Sequence, residues 1–288
     1  MRLVMGWKTN PEMKTPESNA MAVKWMNNRL NQKMNVVKDH FDKFRISDAL
    51  MTIYRLIWDD FCSWYLEMVK PPFQQTMDPN TRKDTLEIFE KLMKMLHPFM
   101  PFLTEEVYHT LTKRKEGDSI MIAPMPQTED YDNEMLHRFE FARETVNALR
   151  NLRNEKNIPQ KKGVTLYLAG KMEETLGQFA EMVKKLAHLD AIHPDSKPEE
   201  NALHLMVRSQ EMFVPFAGAL DQNKEMEKLE KELQYQEGFL NGVMKKLSNE
   251  RFVHNAPPAV VEKENRKMDD AKEKIRRIKA QMDKLQEK

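Results

Sequence analysis

Two runs of heptad spacing separated by a double proline constrain the fold of this chain more than any other feature. In residues 221–247 and again in residues 261–285, apolar side chains recur at alternating steps of three and four, which is the spacing of a coiled-coil seam. Pro257–Pro258 lies between the runs, and proline interrupts a helix because it lacks an amide donor. Residues 221–288 are therefore predicted to form two separate helices that fold back on each other.

The two seams stay in register over their whole length when the second helix runs antiparallel to the first. About 27 residues in each helix give this arm a reach of roughly 40 Å. Gln236 then faces Ala271 and Val243 faces Glu264, and polar residues in a seam set its register at some cost in stability. The predicted seam pairs are Leu247 with Val261, Leu240 with Met268, Leu233 with Ile275 and Leu229 with Ile278.

The charge of the predicted arm is uneven. Residues 221–240 hold three Lys/Arg against six Asp/Glu, whereas residues 241–288 hold thirteen against eight. A protruding arm with basic charge towards its turn can contact a polyanion. The same charges also serve solubility in an ordinary coiled coil, and the sequence leaves both interpretations open.

The first 160 residues have the periodicity of an up-and-down helical bundle. We predict five amphipathic helices, the first over about 17–44 and the fifth over about 130–156. The second begins near Ser47, and its apolar residues recur every three or four positions. This stripe consists of Leu50, Ile53, Ile57, Phe61, Trp64 and Met68.

Prolines mark the boundaries of the third and fourth helices. Asp78 is predicted to cap the third helix, with Pro79 at its first position, and Pro98 is predicted to end it. Thr104 is expected to cap the fourth helix. The connecting segment carries apolar side chains that we expect to be buried in the bundle, namely Phe99, Met100 and Phe102.

Short β-branched and aromatic runs follow the bundle, namely GVTLYLAG at residues 163–170, ALHLMV at 202–207 and EMFVPFAG at 211–218. The chain is therefore predicted to be mainly α, with a small α/β module between the bundle and the arm. The predicted parts are a linker over 1–16, the helical bundle over 17–160, the α/β module over 161–220 and the antiparallel coiled-coil arm over 221–288.

Composition excludes several functional classes. The formal net charge is +1, and a single cysteine, Cys62, rules out an internal disulfide or a cysteine-rich zinc site. The eight histidines do not cluster at metal spacing, no apolar run reaches 18 residues, and no secretory signal is present. We expect a cytoplasmic monomer that binds no metal and no membrane.

Basic and aromatic residues interleave on the first helices of the bundle. The basic residues are Lys24, Arg29, Lys33, Arg45 and Arg55, and the aromatic ones are Trp25, Phe44 and Tyr54. Surfaces of this composition bind single-stranded RNA, because cations hold phosphates while aromatic rings stack on bases. An ordinary amphipathic helix with a solvated face has the same composition, so the pattern alone does not decide.

Several stretches resemble class I aminoacyl-tRNA synthetases for branched aliphatic amino acids. HPFMPFLTEEVY at 97–108, WDDFCSWYLEMVKP at 58–71 and KWMNNRLN at 24–31 resemble their anticodon-binding helical bundle. KLSNERFVHNAPPAVVEKE at 246–264 closely resembles the coiled-coil turn of the valine-specific members. Nothing in the sequence resembles the ATP-binding signatures HIGH and KMSKS of the catalytic domain.

The resemblance implies the C-terminal portion of an enzyme that attaches valine to tRNA(Val) with ATP and Mg²⁺. Residues 1–16 would lead in from its catalytic domain, and this portion would carry no catalytic residue. In the implied anticodon contact, Trp25 stacks on a base, Phe89 forms the other wall, and three cations hold phosphates, namely Lys24, Arg29 and Arg45. The residues implied for the outer corner of the tRNA are Lys245, Lys246, Arg251 and Lys267.

Three alternatives remain open at this point. The first alternative is that the chain is part of an isoleucine-type class I synthetase, although that type is expected to end in a cysteine-rich zinc module. A second alternative is a non-catalytic coiled-coil interaction protein that uses the arm for a protein partner. A third is a free-standing RNA-binding homologue.

Overall fold

Helices dominate the computed structural model of the chain. It forms two units, residues 1–165 with 171–194 and residues 166–170 with 195–288. The residues that the structure describes are 2–156, 158–171, 174, 176–198, 202–215, 222–249 and 258–286.

The first unit consists mainly of the predicted bundle. The second predicted helix contains a π-helical segment, Leu56–Tyr65, between two α-helical stretches. Short 3-10 turns lie at Ile120–Ile122 and Gly177–Phe179. The regular elements are α1 (Arg2–Met5), α2 (Glu17–Asp42), α3 (Ile46–Arg55), α4 (Leu66–Val69), α5 (Pro79–Leu96), α6 (Pro101–Leu111), α7 (Asn133–Glu155), α8 (Ala180–Leu186) and β2 (Leu189–His193).

The core of the bundle surrounds α2, which packs against α3, α4, α5 and α7. Trp25 of α2 stacks on Phe139 of α7, with ring centroids 3.8 Å apart. The predicted stripe after Ser47 is largely confirmed, because Ile53, Phe61, Trp64 and Met68 are buried. Leu50, at the start of that stripe, is partly exposed.

The helix boundaries near Asp78 follow the prediction. The Asp78 carboxylate accepts a hydrogen bond from the Thr81 amide at 2.8 Å, and Pro79 is the first residue of α5. This carboxylate also accepts from the Thr15 hydroxyl at 2.9 Å. Although Asp78 is buried, these hydrogen bonds together lower its pKa. Helix α5 ends at Leu96, two residues before Pro98.

The predictions for the segment after α5 are wrong in two respects. Thr104 does not cap α6, because the helix begins at Pro101 and the Thr104 hydroxyl donates to the Met100 carbonyl at 2.8 Å. That hydroxyl also lies 2.7 Å from Nδ1 of His97, which ties the end of α5 to α6. Phe102 is 90% exposed rather than buried, in a helix that begins four residues earlier than predicted, with Met100 instead of Thr104 at the cap position.

The two remaining apolar side chains of this segment differ in burial. Met100 is also exposed, whereas Phe99 is half-buried and its ring centroid lies 6.0 Å from that of Phe41. Only Phe99 therefore meets the expectation of burial.

The second unit contains a small antiparallel sheet. Strand β1 (Val164–Leu168) and strand β3 (Ala202–Val207) lie on either side of β4 (Gln210–Pro215). Tyr167 is opposite Phe213, and Leu205 is opposite Met212. These three strands were predicted from the β-branched and aromatic runs, whereas β2 was not.

The arm is an antiparallel pair of helices, α9 (Gln222–Leu247) and α10 (Pro258–Gln286). Ion pairs join Glu237 to Lys279 at 3.0 Å and Lys246 to Glu264 at 3.9 Å, as expected for antiparallel helices. The predicted seam is confirmed in the described part of the arm. Its buried members include Leu229, Val243, Glu264, Ala271 and Ile278.

Candidate nucleic-acid interface

Trp25, predicted to stack on an anticodon base, is completely buried. Phe139 covers one face of its ring, and the indole nitrogen has no hydrogen-bond partner in the described part of the chain. Because α2 is surrounded by other helices, this ring offers no face to a ligand in the observed conformation. The burial therefore argues against the stacking role.

Arg29, predicted to hold a phosphate, is buried in an ion-pair network within the bundle. Its guanidinium contacts Glu140, and its Nε lies 3.7 Å from Oδ1 of Asp60. Arg143 pairs with the same Glu140. Burial raises the pKa of Asp60, although the nearby Arg29 acts in the opposite direction. Both carboxylates compete with any phosphate for this arginine.

The other residues predicted for the anticodon lie far apart. Lys24 is exposed near the start of α2 and Arg45 is exposed just beyond its end, so the helix separates them by roughly 25–30 Å. Phe89 on α5 is half-buried, with its ring stacked on Phe61 at a centroid distance of 5.5 Å. The structure does not bring the five predicted residues to one surface.

Exposed side chains form a row on α3 and the following π-helical segment. The sequence pattern included Tyr54 and Arg55 of this row, but not Met51 or Trp58. We call Met51, Tyr54, Arg55 and Trp58 the α3 outer row. The Tyr54 and Trp58 rings lie nearly parallel, 8° apart, with centroids separated by 6.4 Å, and Trp58 is 60% exposed. The signal was an aromatic-rich face opposite the apolar stripe, at the same spacing of three and four.

Phe44 and Arg45 lie at the start of this helix. Phe44 is 88% exposed and has a positive φ of 56°, a conformation that is unusual for a bulky residue. The turn is held by the Arg45 amide, which donates to the His40 carbonyl at 2.8 Å. The loop before α3 therefore presents an aromatic ring and a guanidinium to solvent.

Three of the predicted corner-binding residues lie on the described part of the arm, and they differ in availability. Lys245 is exposed and forms no ion pair with another described residue. Lys267 donates to Glu264 at 2.6 Å, and Lys246 lies 3.9 Å from the same carboxylate. The hydrogen bond from Lys267 lowers the pKa of Glu264. Arg251, the fourth predicted residue, lies outside the described residues.

The base of the arm is attached to the sheet of its own unit. Arg277 donates to the Ser209 carbonyl at 2.7 Å, at the turn between β3 and β4. His204 Nδ1 lies 3.1 Å from Oε1 of Gln281, and burial lowers the pKa of this histidine. These contacts couple the direction of the arm to the sheet.

Neither a metal site nor a membrane span is found in the residues that the structure describes. No three side chains among the described His, Cys, Asp and Glu residues are placed to hold an ion. Within the same residues, no helix combines the length and the apolar character needed to cross a bilayer.

Helical packing, an exposed aromatic row and a basic arm are features of a protein that recognises folded RNA, and comparison with known families agrees. Residues 23–168 match the family model described as the anticodon-binding domain of tRNA ligase. The chain belongs to this family. Residues 221–286 match a second model, the valyl tRNA synthetase tRNA binding arm.

Curated relatives carry the same specificity in their names. A valine--tRNA ligase from Parabacteroides distasonis is 43% identical over 96% of this chain and 31% of its own length. Those from Christiangramia forsetii and Geobacillus stearothermophilus are 42% and 33% identical, over 99% and 98% of the chain. The chain spans about a third of the length of these relatives. The resemblance to class I synthetases is confirmed, and the isoleucine-type alternative is not favoured.

Proposed function

We propose that this chain is the tRNA-recognition part of a valine--tRNA ligase. The observation that carries the proposal is that one chain matches both family models. The anticodon-binding model covers residues 23–168, and the tRNA-binding arm model covers residues 221–286. The relatives named above are valine--tRNA ligases, and their similarity extends over nearly the whole of this chain. Its partner is therefore tRNA(Val), bound by one molecule of the chain.

The chemistry of the proposed parent enzyme is the ATP- and Mg²⁺-dependent attachment of valine to tRNA in the cytoplasm. This part contributes position rather than chemistry. Holding the tRNA at two separated places fixes where its acceptor end lies, which converts binding energy into orientation of the reacting hydroxyl.

On the bundle, we place the RNA contact at the α3 outer row together with Arg45. The parallel Tyr54 and Trp58 rings are exposed, and exposed aromatic rings stack on unpaired bases. Arg45 immediately precedes α3 and Arg55 is its last residue. Both are exposed and suit the adjoining phosphates. Lys24 and Phe89 remain candidates for a separate contact, and Trp25 and Arg29 serve the core instead.

On the arm, Lys245 is the strongest candidate for a phosphate contact, because its ammonium is exposed and unpaired among the described residues. Lys246 and Lys267 share Glu264, which weakens but does not remove their positive potential. Arg251 keeps the role implied by the resemblance.

A binding titration tests the proposal directly. The full chain is titrated with tRNA(Val) and with a transcript carrying a swapped anticodon, at several salt concentrations. We expect affinity to fall steeply with salt, because phosphate contacts release counterions, and we expect a preference for the valine anticodon. Equal, salt-insensitive binding of both transcripts would contradict the proposal, and capture of a protein partner without RNA would favour the coiled-coil interaction alternative.

A further inference from the structure

An open, mainly polar cavity lies in the first unit, away from the α3 outer row. Its volume is about 440 Å³, and it lies between the segment that follows α7 and the turn from α8 to β2. Its charged and titratable lining consists of Lys161, Lys184, Lys185, His188, Glu181 and Asp190.

A single buried arginine holds both walls of this cavity. Arg153, near the end of α7, is 2% exposed. Its Nη1 donates to the carbonyls of Pro159 and Lys162 at 3.0 and 2.7 Å, and its Nη2 donates to those of Ala187 and His188, both at 2.9 Å. Burial lowers the pKa of Arg153. The two walls are therefore pre-organised rather than loose.

The backbone around the cavity is also constrained. His188 has a positive φ of 51°, a conformation that a non-glycine residue adopts only when its surroundings fix it. Gly163 lies against the Asp190 carboxylate, and a Cβ at this position would collide with its oxygens. Together with Arg153, these features keep Asp190 and His188 at fixed places in the lining.

The lysines of the cavity differ in how many of their hydrogen-bond donors remain free for a ligand. Lys185 donates to the carbonyls of Met68 and Lys70 at 2.5 and 3.0 Å, so its hydrogen atoms are largely committed. Lys161 is exposed and Lys184 is half-buried, and neither forms an ion pair with another described residue. These two ammonium groups are available to an anion at the cavity.

We infer that this cavity is a further contact site for the ribose–phosphate backbone of the bound RNA. Lys161 and Lys184 suit a phosphate, and Glu181 is an acceptor for a ribose hydroxyl. A lining with both signs of charge fits RNA, whose backbone alternates an anion with a hydroxyl donor. The inference rests on the proposed function and adds a third place of contact.

The double variant Lys161→Ala/Lys184→Ala tests the phosphate contacts in the full chain with a tRNA(Val) transcript. We expect affinity to fall about tenfold at moderate salt, and the slope of log affinity against log salt to become shallower by about two. A matched control, Lys83→Ala/Lys113→Ala, removes two exposed lysines outside the cavity, and its slope should stay at the wild-type value. Thermal unfolding of both variants verifies that the fold is kept.

The variant Glu181→Ala tests the ribose contact. Removing an anion raises affinity if the cavity meets phosphate alone, whereas we expect a fall of about threefold because a hydrogen bond is lost. Hydroxyl-radical footprinting of the bound transcript should lose one protected stretch in the double lysine variant.

Failure of this inference is distinguishable from failure of the proposed function. A wild-type chain that binds no tRNA would overturn both. Steep salt dependence in the wild type together with an unchanged slope and footprint in the lysine variant would overturn only the third contact. Higher affinity of Glu181→Ala would overturn the ribose contact.

Discussion

The helical bundle and the C-terminal arm both place buried carboxylates beside basic residues, but the outcome for the basic residues differs. In the bundle, Arg29 is enclosed with Asp60 and Glu140, and burial raises the pKa of Asp60. In the arm, Glu264 lies in the seam while Lys267 reaches it from the edge, and the hydrogen bond lowers the pKa of Glu264.

This difference in burial decides whether a basic side chain is available to bind a polyanion. The Arg29 guanidinium is directed inwards and is neutralised there, so it stabilises the bundle and is not available to RNA. Lysines at the edge of a two-helix arm keep their ammonium groups near solvent, because the arm is too thin to enclose them. The number of basic residues on a helix therefore predicts binding only when the depth of that helix is known.

The largest expected effect comes from replacing each of two tryptophans of the bundle by alanine in separate variants. Trp25→Ala should lower the free energy of unfolding by about 3–5 kcal/mol, because it leaves a cavity beside Phe139. Trp58→Ala should leave unfolding nearly unchanged and weaken RNA binding by about 1–3 kcal/mol, since an exposed stacking ring is lost. Denaturant unfolding and tRNA titration measure both. If Trp58→Ala instead lowered stability and left tRNA binding unchanged, the α3 outer row would not be an RNA contact.

Arg29→Ala tests the inward-facing cation. We expect a loss of about 3–5 kcal/mol in the free energy of unfolding, because two carboxylates are left without their buried partner. The control Arg45→Ala changes an exposed arginine and should alter stability by about 0.5 kcal/mol or less. If Arg29→Ala instead changed only the salt dependence of tRNA binding, its role would be a phosphate contact after all.

Lys245→Ala tests the outward-facing cation of the arm. The salt slope of tRNA binding should become shallower by about one, with a similar loss of affinity for tRNA(Val) and for other tRNAs. Stability should be unchanged, because Lys245 has no ion pair with another described residue. An effect confined to the valine anticodon would contradict the division of roles between arm and bundle.

The smallest expected effect is on the pH dependence of stability. The folded pKa of Glu264 is lowered from 4.5, so its contribution is present above pH 4.5 and is lost as pH falls through the folded value. Asp60, with a pKa raised from 3.8, has the opposite sign and favours the folded bundle on acidification. Denaturant midpoints of wild type and Glu264→Gln between pH 7 and 3 should converge as pH falls. A constant difference would contradict the ion pair.

Much of the arm was predictable and much of the bundle surface was not. The arm has one seam, so the spacing of Leu229, Val243 and Ala271 alone decides which side is buried. Helix α2 is surrounded on several sides, so its polar residues Arg29 and Asn31 are buried as well. Periodicity cannot distinguish such a helix from a surface helix, so the complete burial of Trp25 was not predictable from the sequence.

Local chemistry was predictable where it depends on neighbours in sequence. The Asp78–Pro79 cap was correct because it needs only adjacent residues. Thr104 and Phe102 were misplaced because the start of α6 depends on the His97 contact across the turn. The cavity held by Arg153 joins segments some 35 positions apart in the chain, and no pattern in the sequence connects them.

The π-helical segment Leu56–Tyr65 has a consequence for how this family can tolerate changes in length. An α-helix advances about 100° per residue, so a single insertion or deletion rotates every later side chain out of its environment. In the π-helical segment each amide donates a hydrogen bond to the carbonyl five residues earlier instead of four. The Ser63 hydroxyl likewise donates to the carbonyl of Trp58, five residues earlier. Removing one residue here would let the helix tighten into ordinary α geometry while Trp64 and Met68 keep their phase. We therefore expect indels in homologous genes to be accepted at this segment more readily than within α2 or α5.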